Sequence, residues 1–435
     1  MTRYVIIGTG VSGISAAIML RELDQSAEIT LVSDDPFEYY SRPGLAYYLT
    51  DEIPEKQLHP FDNKDWKALN AQLVKGRATG VNPRDHLVEI RNSLSLKYDR
   101  LLLGTGAASV SLNVPGENLR GVVKLDDFQD ARQIISAAHH AKTAVVVGGG
   151  VVSLEMVEGL VALGVKVHLF LRGDRYWVNV LDEPESLIIE NRLKHAGVTL
   201  HYRTEITEIL GHRGNVAGVR TRKGEIIRCG IVGTCIGVRS RMELAHSAGL
   251  TTEKGILANE YLQTSDPDIF TAGDAAQVFD LRTRHSLVDS LWAPGRLQGQ
   301  VAALNMAGQM RTYQRKVDIN VLRLAGIMLT IIGSIGSGRN DDLVSVARGS
   351  SETWLQLPNT ISMESGSEFN HVRLMVGERT LAGALVLGEQ KLSLPLQDMV
   401  AKQTDITPIR NQLLNPGAAL GQILMDFWSG IRERG

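Results

Sequence analysis

Only two cysteines, Cys229 and Cys235, occur in 435 residues. That count supports no disulfide framework, no cysteine-ligated iron–sulfur cluster and no structural zinc site, and no metal is expected. Five residues separate the two thiols, on or beside an apolar strand, where they read as ordinary core or edge residues. Net charge is also scarce: a formal balance of -2 excludes general nucleic-acid binding, though not a local basic patch. The apolar stretch Leu322 to Ile335 contains Arg323 and several glycines and is too short to span a bilayer. It reads as buried core, and no integral membrane segment is expected. Met1-Thr-Arg-Tyr leads into a strand without the basic and apolar regions of a secretory signal, so the expected location is the cytoplasm.

Glycine, by contrast, is plentiful at 43 residues, beside 43% hydrophobic and 22% charged positions. That balance fits an α/β fold with many tight strand-to-helix turns. The length predicts two or three domains. One pattern, apolar strand, glycine turn, helix, strand, occurs twice. In the first copy Tyr4 to Ile7 reads as a buried strand, Gly8-Thr-Gly10-Val-Ser-Gly13 as the turn, Ile14 to Leu23 as an Ala-rich helix and Glu28 to Val32 as the next strand. In the second, Thr143 to Val147 leads into Gly148-Gly149-Gly150-Val-Val-Ser153. A helix follows through Leu163, with Gly164 as its stop, and then the strand Lys166 to Leu171.

Two further glycine-punctuated strands, Leu101 to Ala107 and Ile231 to Gly237, mark where the chain leaves each nucleotide fold. The segment from Leu262 to Ala276 reads as a return to the first. Beyond about residue 310 alternating strands (Leu343 to Ala347, Val372 to Val376, Leu381 to Leu387) and helical segments near 394–401 and 418–431 replace this texture. Gly349 to Ser367 reads as a loop with one short strand around Trp354. The expected architecture is two Rossmann-like dinucleotide-binding domains with parallel sheets plus a C-terminal α+β domain. Their boundaries are 1–111 with 257–310, 112–256, and 311–435.

Glycines spaced G-x-G-x-x-G let the turn bend, let backbone approach a pyrophosphate and let helix pack on strand, while free N–H groups of the helix face the phosphate charge. One such string is weak. Two copies about 140 residues apart, each between a strand and a helix, are far more specific. Where an acidic residue is wanted for a ribose hydroxyl, the first copy has Ser33 and Asp34, either of which could serve; plain turn residues are the other reading. The second strand ends at Leu171 instead of an acid, and Arg172 and Arg175 follow. Guanidinium groups there suit a 2′-phosphate and favour NADPH, unless both simply lie on a solvated loop.

In this order the motifs resemble the two-dinucleotide-domain FAD flavoproteins that include the pyridine nucleotide-disulfide reductases. Within that family they look like the branch of rubredoxin and ferredoxin reductases and the flavin portion of NAD(P)H nitrite reductases. The resemblance covers roughly residues 1–335; the C-terminal third matches in outline. It implies that Gly8, Gly10, Val11, Ser12 and Gly13 bind the FAD pyrophosphate and that Asp274, after Gly273, holds the ribityl or phosphate part. Arg42 and Pro43 would run beside the flavin, with Thr105 and Gly106 near it and Trp292 packing by the isoalloxazine. Gly148, Gly150, Val151, Val152 and Glu155 would line the NAD(P)H site, with Gly237 on its far wall.

Departures from the family pattern bear on mechanism. Disulfide-reducing relatives place a thiol near the flavin, whereas Pro43 precedes Gly44-Leu45 here and no cysteine lies within the first 200 residues. A thiol relay is therefore not expected. Ferredoxin-reductase relatives tend to place a lysine beyond Arg-Pro, paired with the glutamate of the second turn. The register here offers Tyr47, so Arg42, Tyr47 and Glu155 are the residues that the resemblance places in catalytic roles. The implied activity is hydride transfer from NAD(P)H to flavin, then electron delivery to an iron–sulfur or rubredoxin-type carrier protein or a partner redox subunit. A quinone acceptor and a flavin-binding subunit without turnover remain open, the latter fitted by Ser153 in place of the third glycine. Homo-oligomerisation is open too. The amphipathic segment Leu420 to Ile431 reads either as a cap on the third domain or as a membrane-surface helix.

Overall fold

The computed structural model describes residues 1–92, 95–281, 284–335, 361–367, 370–415 and 419–432, with 361–367 as backbone only. The expected strands Leu343 to Ala347 and around Trp354 lie outside the described residues. The chain divides into two compact units.

The first unit comprises Met1–Val110, Lys124–Gln133 and Gly237–Arg315. Its centre is a five-stranded sheet in the order Gln72–Lys75, Glu28–Ser33, Arg3–Ile7, Arg100–Leu103, Ile269–Thr271, every pairing parallel. Tyr4–Ile7 is the buried apolar run that its composition predicts, because a central parallel strand is covered on both faces. The helix Val11–Leu23 follows and packs with Trp292–Met306 on one side of this sheet, where Ile14, Ala17, Leu20, Ala302 and Ala303 are buried. Arg21 closes the helix end. Its buried guanidinium donates to the carbonyls of Leu69, Asp24, Gln25, Ala27 and Asn70, tying the turn after its helix to the separate segment at residues 69–70.

The second unit comprises Ser111–Val123, Ile134–Ile236 and Lys316–Gly435. Its parallel sheet runs Thr199–His201, Lys166–Phe170, Thr143–Val147, Ile231–Thr234, Val122–Val123. A second sheet, antiparallel and five-stranded, has the order Ile319–Leu324, Ile327–Gly333, Leu381–Leu387, Asn370–Val376, Ile361–Ser367. The residues 361–367, expected within a loop, form its edge strand. That strand's ladder is supplied by Asn370–Val376, which its own Ser- and Gly-rich sequence does not announce.

Helices Ser393–Ala401 and Leu420–Arg432 correspond to the two helical segments read from the sequence; Thr407–Leu413, started by Pro408, is an additional short one. In the last helix Leu420 and Leu424 are buried, Ile423, Phe427 and Trp428 pack on the same core, and Trp428 Nε1 donates to Asp398 at 3.0 Å. The helix caps the antiparallel sheet's core. Among the described residues no helix is long and apolar enough to cross a membrane.

Candidate functional site

In the first turn each glycine answers a different steric demand. Gly8 has φ +106°, and a Cβ there would lie 2.1 Å from the Gly104 carbonyl oxygen. A Cβ on Gly13 would stand 2.0 Å from the Gly8 oxygen, so helix and strand are in contact at that point. Gly10 differs: a Cβ would meet nothing within 4 Å, which leaves open space beside the turn. Gly10 caps the Val11–Leu23 helix without a side-chain hydrogen bond, and no acidic residue lies in the first turn. Its amides and positive dipole end therefore face that space and suit an anion.

The distant segment after Thr271 reaches this turn through two more glycines. Gly273, at φ +76°, sits against the Ser12 side chain, and a Cβ on Gly299 would be 2.1 Å from the Ser12 carbonyl oxygen. Gly273 N–H donates to Gln298 Oε1 at 2.8 Å and Ser240 Oγ to the Asp274 carbonyl at 2.6 Å. Asp274 is thus held, half-buried, in the charge environment of Arg42. Burial opposes the Arg42 charge, but Tyr40, Asp274, Asp35 and Asp127 together raise its pKa above the ordinary arginine value. Pro43 lies with Arg42 in a single 3₁₀ turn.

Ser33 ends its strand with Oγ 3.0 Å from Thr9 Oγ1 and accepts from Asp35 N–H, while Asp34 is exposed. Thr105 Oγ1 donates to the Arg241 carbonyl, and Gly106, at φ +69°, accepts from Arg241 N–H. Trp292, 43% exposed at the start of its helix, carries the Arg296 guanidinium 5.8 Å above its ring and shares a hydrogen bond with Tyr39. Tyr47 is exposed in this same unit, where Gly237 also lies, accepting from Val110 N–H.

The second turn repeats the geometry with one change. Gly148, at φ +147°, abuts the Cys235 carbonyl, which a Cβ would approach to 2.2 Å, and Gly150 again opens onto space with nothing within 4 Å. The helix Val151–Ala162 starts at Gly150 without a side-chain cap. Ser153, in the third glycine's place, is fully buried and turns its hydroxyl back to the Gly150 carbonyl at 2.6 Å. The substitution is accommodated, and the turn is intact. Glu155 is half-buried on the same helix.

Leu171 is buried after its strand and Arg172 is exposed. Arg175 is directed into its own loop, toward Asp174 at 3.3 Å and the carbonyls of Leu181 and Val178 at 3.4 and 3.5 Å. Sequence reading overlooked Tyr176. Its buried hydroxyl donates to the Gly150 carbonyl at 3.1 Å, across 26 residues, and no local motif signals that contact. Burial pushes the Cys229 thiol up to about 12, as befits a core residue. No cluster of three or more metal-ligating side chains occurs among the described residues.

Both turns therefore fit a dinucleotide: a tight bend, an open second glycine and an uncapped helix start. Comparison with known proteins agrees with this geometry. Rhodocoxin reductase of Rhodococcus erythropolis is 33% identical over 276 residues, 62% of this chain and 64% of that protein. The assimilatory nitrate reductase electron transfer subunit of Bacillus subtilis is 24% identical over 418 residues, 95% of this chain. The chain spans 51% of that subunit's length. The fold matches the crystal structure of a ferredoxin reductase for the CYP199A2 system from Rhodopseudomonas palustris with a TM-score of 0.84 at 22% identity, covering 97% of this chain and 99% of that one. Residues 2–307 match the pyridine nucleotide-disulphide oxidoreductase family, whose members bind FAD and use NAD(P)H, and the chain belongs to that family.

Proposed function

We propose that the chain binds FAD on its first unit, takes a hydride from NAD(P)H held on its second, and passes electrons to a small iron–sulfur or rubredoxin-type carrier protein. The observation that carries this reading is the pair of turns, each opening at its second glycine and each leading into a helix with free amides. Bound FAD would supply the redox chemistry, accepting two electrons with the hydride and releasing them singly.

The chain's own work is positioning and charge. The Val11, Ser12 and Gly13 amides take the pyrophosphate, Ser33 and Asp34 stand where the ribose is bound, and Asp274 and Arg42 hold the remainder, with Thr105, Gly106 and Trp292 along it. On the second unit Val151 and Val152 amides take the other pyrophosphate and Glu155 lines the nicotinamide end. Arg172 is the 2′-phosphate contact that favours NADPH, and Arg175 shapes the loop that carries it. The names of the relatives, a rhodocoxin reductase and a nitrate reductase electron transfer subunit, support an acceptor that is a carrier protein or a partner subunit.

The test is anaerobic titration of the purified yellow protein with NADH and NADPH while its flavin spectrum is followed. Bleaching by nucleotide, then reoxidation by a rubredoxin or ferredoxin and not by a quinone, is the expected result. A colourless protein would sink the proposal, and flavin that neither nucleotide reduces would leave a binding subunit without turnover.

A further inference from the structure

Arg373 lies mid-strand in the antiparallel sheet of the second unit, paired with Leu385 and Glu364 on either side. Strand alternation sends Val372, Leu374 and Val376 into the helix-covered core. Arg373 points from the other face and is 2% exposed. Its Nε and Nη2 grip the Glu185 carboxylate at 3.0 and 3.1 Å, and Nη2 also donates to the Val180 carbonyl at 2.7 Å. Nη1 reaches Asp182 Oδ1 at 3.1 Å and the Ile335 carbonyl at 3.3 Å. All five guanidinium N–H groups are thus used, four of them on the segment Val180–Glu185 that enters the Glu183–His195 helix.

That segment is the far end of the loop beginning at Arg172. Glu185 also accepts from Asp182 N–H at 2.8 Å, which closes the helix start. Next along the loop, Tyr176 is clamped at both backbone polar atoms, its N–H on Glu190 Oε1 at 2.8 Å and its carbonyl on Ser186 Oγ at 2.8 Å. Its hydroxyl then joins Ser153 Oγ on the Gly150 carbonyl, approaching it from the loop side. In a trans peptide the C=O and the following N–H point in opposite directions. Holding the Gly150 oxygen therefore aims the Val151 N–H away from it, toward the open space at the turn.

We propose that Arg373 is a positioning residue for pyridine-nucleotide binding, fixing through Glu185, Val180 and Tyr176 both the Arg172 loop and the Gly150–Val151 peptide. This rests on the proposed function of the second turn.

The test compares the full-length protein with Arg373→Met, Tyr176→Phe and the double variant Arg373→Met with Glu185→Gln. Measured are KM for NADPH and NADH, the flavin reduction rate at saturating nucleotide, FAD content and the thermal midpoint. KM should rise about tenfold in Arg373→Met, the equivalent of one hydrogen bond to a charged group. It should rise by roughly fivefold in Tyr176→Phe, the equivalent of one neutral hydrogen bond. Saturated rate and FAD content should stay near wild type.

The double variant removes both fully buried charges and leaves only the partly exposed Asp182 without its partner, so it should regain part of the thermal stability and keep the raised KM. Were KM to return with stability, or a fall in thermal midpoint to come with unchanged KM, Arg373 would be a structural residue only. Should Arg373→Met fail to fold, an unchanged KM in Tyr176→Phe overturns the proposal equally well. Wild-type flavin that neither nucleotide bleaches would remove the functional reading itself, whereas bleaching with unaltered KM in the variants removes only this inference.

Discussion

Arg172 and Arg175 look alike in sequence and stand in different situations. Arg175 is bonded into its own loop, whereas Arg172 is exposed beside the buried end of the strand at Leu171. Arg172→Gln should therefore raise KM for NADPH by about tenfold, as loss of a charged hydrogen bond would, and leave that for NADH nearly unchanged. Equal effects on both nucleotides would overturn the proposed preference for NADPH.

Asp130 makes a different prediction at the same scale. Burial, aided by Asp127, pushes its carboxyl up to about 6, although it accepts from Asp126 N–H and lies 3.9 Å from Lys124 Nζ. The folded form binds this proton more tightly than the unfolded chain, so the resulting stability is full below about pH 4 and lost as pH rises through 6. Asp130→Asn keeps the acceptor for Asp126. It should flatten that slope and gain roughly 1–2 kcal/mol at pH 8, after discounting for partial solvent screening. Denaturant titrations of both proteins at pH 5 and pH 8 would show it; parallel pH slopes would refute it.

At the scale of elements, the two strand–turn–helix units were legible because glycine's demands are local: a positive φ or a missing Cβ leaves a mark in the sequence itself. The packing of the Trp292–Met306 helix on Val11–Leu23 was legible only in part. Trp292 marks the start of that helix in the sequence, but the contact of Gly299 with the Ser12 carbonyl joins residues far apart in the chain. Gly299→Ala would bring a Cβ within 2.1 Å of that oxygen, a backbone atom that cannot turn aside. A loss of about 2–4 kcal/mol and weakened FAD retention are expected. Gly421→Ala is the control, since its nearest neighbour would be a leucine methyl at 3.8 Å, and it should be neutral or slightly stabilising. The edge strand Ile361–Ser367 and the short helix Thr407–Leu413 went unread for a related reason. One draws its order from a neighbouring strand and the other is too brief to display a period.

Across the whole molecule, ligand binding and stability should be coupled. FAD present at about 100 times its Kd should add roughly 2.7 kcal/mol to the folded state. Gly10→Val offers a clean contrast, because φ is -73° and a Cβ there meets no protein atom within 4 Å. The apoprotein should melt near the wild-type midpoint, yet added FAD should no longer raise it; a normal FAD shift would show that the pyrophosphate does not lie at this turn. What the sequence determined by itself was the pair of nucleotide folds, their order and the Asp274 segment, since each rests on a short string whose residue types are dictated by local backbone geometry. Only the tertiary structure decided that Asp274 is held near Arg42, that Ser153 can stand for glycine by turning its hydroxyl to Gly150, that Tyr176 donates to the Gly150 carbonyl, and that Arg373 holds Glu185 and Val180. Those arrangements depend on side chains meeting across tens to hundreds of residues, and such meetings leave no periodicity or spacing for a sequence to display.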